Sequence, residues 1–81
     1  MKPAEARRLA EHHSIAELQS FAEILSEERD PPIAIIGEAL GDKLTHVLLA
    51  MRIRERVDVG ESMVDAYREV FAGVREVLRN D

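Results

Sequence analysis

Ile33–Val57, IAIIGEALGDKLTHVLLAMRIRERV, is the stretch on which the fold turns, because read as one helix it carries large apolar residues on two opposite sides. At about 100° per residue, Ile33, Ile36, Leu40, Leu44, Val47 and Met51 fall within about 40° of one line, which is the core stripe of an amphipathic helix. A second group, Ile35, Leu49, Ile53 and Val57, lies roughly 140° to 220° around the cylinder from Leu40, extended by Ala39 and Ala50. One neighbouring helix accounts for the first stripe, and the second needs another cover. The expected interface is therefore Ile35, Leu49, Ile53 and Val57, offered to a second copy of the chain or to a larger protein.

Outward from this stretch, the Asp30-Pro31-Pro32 sequence sets a boundary. Proline disfavours the α conformation in the residue before it, while Asp30 can cap and Pro31 can occupy the first turn of a helix that follows. The expected third helix thus starts at Pro31 or Pro32, runs through Gly41 and ends between Val57 and Gly60. Arg52, Arg54 and Arg56 near its end meet the negative pole of the helix dipole.

On the N-terminal side, residues 3–12 read as helical, with Pro3 in a tolerated first-turn position. Leu9 projects about 180° from Leu18 on one continuous helix, so a break is expected near His12-His13-Ser14. Ser14 and Glu17 have the spacing of a capping box, and a second helix is expected from Ile15 to about Glu28, with Ile15, Leu18, Ala22 and Leu25 as its main stripe and Phe21 and Ile24 on its flanks. On the C-terminal side Gly60 marks a turn and Ser62 with Asp65 a further cap. The last helix then shows Met63, Tyr67, Val70, Val74 and Val77 at steps of four and three, flanked by Val64, Phe71 and Leu78. The expected fold is all-α: one small antiparallel bundle of three to four helices over residues 1–81, dimerising through its central helix.

Length and composition agree with that expectation. At 81 residues with no cysteine, a single core leaves only a few kcal/mol of net stability, with no disulfide or thiolate-bound metal to add to it. Residues 1–30 carry four basic and seven acidic groups, 31–57 four and three, and 58–81 three and six. A net charge of −5 opposes non-specific binding to nucleic acid, which depends on neutralising phosphates. The N-terminus has no apolar run of a signal peptide, and charged residues interrupt every stretch long enough to span a bilayer, so a cytoplasmic, membrane-free protein is expected.

Residues with chemical potential are few. Glu38, Asp42 and His46 are spaced by four, and two carboxylates with an imidazole on one stripe could ligate a divalent metal if another helix added a ligand. The simpler reading is a polar strip with Asp42 and His46 hydrogen-bonded. His12 and His13, being adjacent, do not share a helix face. No cysteine nucleophile, phosphate-cradling glycine loop or supported Ser/His/Asp set is present, so neither an enzymatic activity nor a cofactor is expected.

Ile36-Gly37-Glu38-Ala39-Leu40-Gly41, with Val47 six residues after Gly41, resembles the helix-turn-helix pattern of DNA-binding regulators. That resemblance implies Gly41 as the turn and Lys43, Thr45 and Arg52 as contacts to DNA. Asp42 stands where an apolar residue usually follows the glycine, and Leu44, Leu48 and Leu49 crowd the would-be recognition helix. A helix running through Gly41 is the reading taken. The functional expectation is a non-enzymatic interaction protein, acting as an adaptor, accessory subunit or assembly component, with a small helix-turn-helix DNA-binding regulator and a metal- or ligand-binding helical bundle as the alternatives.

Overall fold

The computed structural model describes the backbone of residues 1–79 and the side chains of residues 1–74. Four helices follow in order: α1 Pro3–His12, α2 Ile15–Ser26, α3 Leu40–Asp58 and α4 Met63–Arg79. No strand occurs among the described residues. The central helix is α3, which packs against all three others. The Cα trace measures 32 × 31 × 16 Å. With helix axes about 8–10 Å apart, a thickness of that size holds two layers of helices, so each helix keeps an outer side.

Local signals place most of the boundaries. Pro3 lies in the first turn of α1, and His13 closes it with an extended backbone whose N–H reaches the Leu9 carbonyl. The capping box at the start of α2 is complete: Glu17 N–H donates to Ser14 Oγ at 3.2 Å and Ser14 N–H donates to Glu17 Oε1 at 3.0 Å. These bonds, the Ser14 N–H first, hold the Glu17 carboxyl below its ordinary value. The chain leaves α2 through Glu28, whose φ of 59° is left-handed. The N–H groups of Glu28 and Arg29 then return to the carbonyls of Leu25 and Ile24, the two bonds of a Schellman ending with glutamate where glycine is usual. At α4, Asp65 N–H donates to Ser62 Oγ at 3.1 Å, and Gly60 takes the turn with φ 114°.

The principal departure from expectation is Pro31–Ala39. These residues are not helical, and α3 begins at Leu40, eight or nine residues later than the double proline suggests. Two prolines, three isoleucines and Gly37 make a poor helical run, since β-branched side chains and glycine both disfavour it. An extended path lets alternate side chains face alternate sides. Ile33 is half-buried and Ile35 buried, while Ala34 and Ile36 are exposed.

The core gathers Ala6, Leu9 and Ala10 of α1, Leu18, Phe21 and Leu25 of α2, Ile35 of the connecting segment, Val47, Leu49, Ala50 and Ile53 of α3, and Ala66 and Phe71 of α4. Phe21 belongs to the core proper, whereas Ile15 and Ala22 are half-buried. In α4, Met63, Tyr67, Val70 and Val74 pack on the core edge, and Arg7 of α1 lies over the Tyr67 ring at 5.4 Å. The expectations for Val77 and Leu78 lie outside the described side chains.

Candidate functional site

A polar cluster holds the extended segment 31–39 against the helices. Glu5 is 3% exposed and lies one helical turn before Leu9 on the buried side of α1. Its carboxylate accepts two hydrogen bonds from Arg8, at 2.6 and 2.7 Å, and one from the Ile36 N–H at 2.7 Å. Arg8 also donates to the Ala34 carbonyl at 3.1 Å. The Arg8 guanidinium keeps the Glu5 carboxyl below its ordinary value against the opposing effect of burial, and the Ile36 N–H adds to this. The Glu5 carboxylate in return raises Arg8.

His46 of α3 completes the cluster from the other side. Fully buried, it has Nδ1 2.7 Å from the Ile36 carbonyl and Nε2 2.8 Å from the Lys2 N–H. A carbonyl on one side and an N–H on the other assign the proton to Nδ1 and the accepting lone pair to Nε2. Ile36 thus has its N–H held from α1 and its carbonyl from α3. Glu5 and His46 are buried because they satisfy backbone groups of an irregular segment that no sheet or helix serves.

The same contacts bear on the metal constellation. Asp42 comes 4.0 Å from His46 Nε2, and Glu38 meets Asp42 only through its backbone N–H, at 3.3 Å. Both imidazole nitrogens are spent on backbone groups, which leaves no lone pair for a metal ion. Among the described residues no three His, Cys, Asp or Glu side chains gather as a metal set.

The expected interface is inverted. Ile35, Leu49 and Ile53 are 7%, 8% and 0% exposed, and Val57 is half-buried, all packed within the chain itself. This correction has a simple cause. Because 31–39 is not helical, it lies beside α1, tied to it at Ala34 and Ile36, and Ile35 enters the same core as Leu49 and Ile53 of α3. The stripe assigned to the core is the more open one: Leu40, Leu44 and Met51 are half-buried and Ile36 is exposed, with only Val47 fully enclosed.

The helix-turn-helix alternative finds no counterpart in the backbone around Gly41. Gly41 lies inside the first turn of α3, and no helix immediately precedes it. Thr45 donates its hydroxyl to the Gly41 carbonyl at 2.9 Å. Lys43 is half-buried against Gly37 and lies about 160° around the helix from Thr45, so Lys43, Thr45 and Arg52 do not form one reading face. Nor do the three arginines act alike. Arg54 pairs with Asp58 at 2.9 Å and donates to the Ala10 carbonyl near the end of α1 at 3.2 Å. Arg56 pairs with Glu61 across the turn, at 3.0 Å, and Arg52 is exposed.

What α3 leaves open is a narrow outer stripe. Gly41, Thr45, Leu48, Arg52, Glu55 and Val59 succeed one another by steps of four and three, so they share one side of the helix within about 80°. All six are exposed; Leu48 keeps 48% and Val59 82% of its surface in solvent. Val59 continues the helical path, its N–H bonded to the Glu55 carbonyl at 3.3 Å. Leu44 and Met51 form the half-buried shoulder of this stripe. On its other side a cleft of about 290 Å³ separates Arg52, Glu55 and Arg56 from Glu69, Val70 and Gly73 of α4. Sequence reasoning passed over this stripe because a run of one glycine, one threonine, two charges and two apolar residues has no amphipathic signature. Its only signal is the repeated four-three spacing.

Among the described residues no helix is long and apolar enough to cross a membrane. A family model described as a family of unknown function (DUF6952) matches residues 1–79, and the chain belongs to that family. No curated protein and no solved structure matches the chain.

Proposed function

We propose that this member of the DUF6952 family is a non-enzymatic helical interaction protein of the cytoplasm, acting by self-association or by docking on a protein partner through the outer stripe of α3. The observation that carries this reading is the exposure of Leu48 and Val59 on one side of the helix that organises the whole core. A single exposed leucine is ordinary on a soluble protein. Two large apolar residues in register on the helix that packs against all three others, with Leu44 and Met51 alongside, form a directional contact line on a small surface. The polar residues support the same reading. The two deeply buried ones, Glu5 and His46, hold backbone groups in place and are not turned toward a ligand.

A photo-crosslinking side chain placed at Leu48 tests it in cells that make the protein. Discrete crosslinked products are expected from position 48, and none above background from the exposed control Ser20 on α2. Equal yields from the two positions would refute the reading. Leu48→Glu should change stability by no more than about 0.5 kcal/mol, as for surface positions in general, so that lost association is separable from unfolding.

A further inference from the structure

We infer that the occupant of the α3 stripe is a second copy of this chain, laid antiparallel so that Leu48 of each protomer meets Val59 of the other and Arg52 of each meets Glu55 of the other. The inference rests on the reading of that stripe as a docking surface, and adds its partner and register. In an antiparallel helix pair related by a twofold axis, positions equally far on either side of the axis face one another. An axis passing between Ile53 and Arg54 sets Leu48 opposite Val59 and Arg52 opposite Glu55. Both pairings then occur twice, with the ion pairs near the axis and the apolar contacts about 16 Å apart, given a rise of about 1.5 Å per residue.

Charge selects this arrangement over its competitors. A parallel pairing would bring Arg52 against Arg52 and Glu55 against Glu55, and like charges placed together across an interface are costly. An antiparallel pairing with its axis at Ala50 would press Leu48 onto Arg52 and leave Glu55 facing Thr45, with neither charge answered. Arg52 and Glu55 make no ion pair among the described residues. The overall charge of −5 falls mainly on the flanks, since residues 31–57 carry four basic and three acidic groups. Two acidic molecules can therefore approach through α3 with the least repulsion.

Charge reversal tests the register. Arg52→Glu and Glu55→Arg, each alone, place like charges together at both ion-pair positions, and each is expected to weaken self-association by about tenfold or more. Mixed in equal amounts, the two variants should pair with each other, because every Glu then meets an Arg. Sedimentation equilibrium reads all three states. Independently, the chain has no native cysteine, so Leu48→Cys combined with Val59→Cys should oxidise to a covalent dimer, whereas either single substitution should not. A wild-type chain that stays monomeric at millimolar concentration, or variants that fail to pair when mixed, overturns the inference. Crosslinking of position 48 exclusively to a different protein overturns it as well, yet leaves the docking function standing. A yield from position 48 no greater than that from Ser20 removes both.

Discussion

Replacing Glu5 by glutamine tests the polar cluster at its most loaded point. The carboxylate accepts three hydrogen bonds, two from Arg8 and one from the Ile36 N–H. An amide of the same shape has one oxygen, and its NH₂ group must face either the guanidinium or the Ile36 N–H, donor against donor. The bond to Ile36 is partly buried, and a hydrogen bond to a charged group is worth about 1.5–3 kcal/mol. The Arg8 side chain is 43% exposed, so solvent screening holds its pairing to about 1 kcal/mol at most. Glu5→Gln should therefore cost about 2–3 kcal/mol, a large part of the roughly 4–12 kcal/mol expected of a domain this size. At about 4–8 °C per kcal/mol, Tm should fall by about 8–24 °C.

Urea melts followed by circular dichroism, wild type against variant, supply the measurement, and their pH dependence checks the cause. The folded Glu5 carboxyl titrates below its ordinary value of 4.5. Its contribution is thus complete above that value and disappears as pH falls through the lower, folded one. The gap between wild type and Glu5→Gln should be constant from pH 5 to 7 and narrow in acid. A gap below about 0.5 kcal/mol at pH 7, or one that widens in acid, would refute the assignment of Glu5 as the anchor of Ile36.

Two further predictions concern the backbone. Glu28 has a left-handed φ of 59°, so Glu28→Gly should relieve strain and stabilise by about 0.5–1 kcal/mol after the greater unfolded-state entropy of glycine is counted; an unchanged or lower urea midpoint would contradict it. A Cβ at Gly37 would lie 2.7 Å from Lys43 Cγ and 2.9 Å from the Lys43 backbone nitrogen, whereas at Gly73 nothing lies within 4 Å. Gly37→Ala should cost about 1–3 kcal/mol while Gly73→Ala gains up to about 1 kcal/mol, and equal effects in the same melts would show that segment 31–39 does not pack against α3 as described.

Much of the architecture was legible in local chemistry. The break after His12, the capping box of Ser14 and Glu17, the turn at Gly60 and the Ser62 cap each depend on residues within four positions of one another, and short-range hydrogen bonds settle them whatever the rest of the chain does. The all-α class follows from the same source, together with apolar residues at steps of three and four. What the sequence alone could not decide is the fate of residues 31–39 and, through it, which side of α3 is covered. Helical periodicity continues unbroken from Ile33 to Val57, so phase alone favours one long helix with its core on the Leu40 and Met51 side. The outcome turned on Glu5, thirty-one positions away, and His46, ten positions away, taking the N–H and the carbonyl of Ile36. Those bonds make an extended path tolerable in a buried place, and that path lets the chain close over Ile35, Leu49 and Ile53. Tertiary packing decided the matter because a backbone amide can be satisfied by any acceptor brought close to it, and only the assembled fold brings that one there.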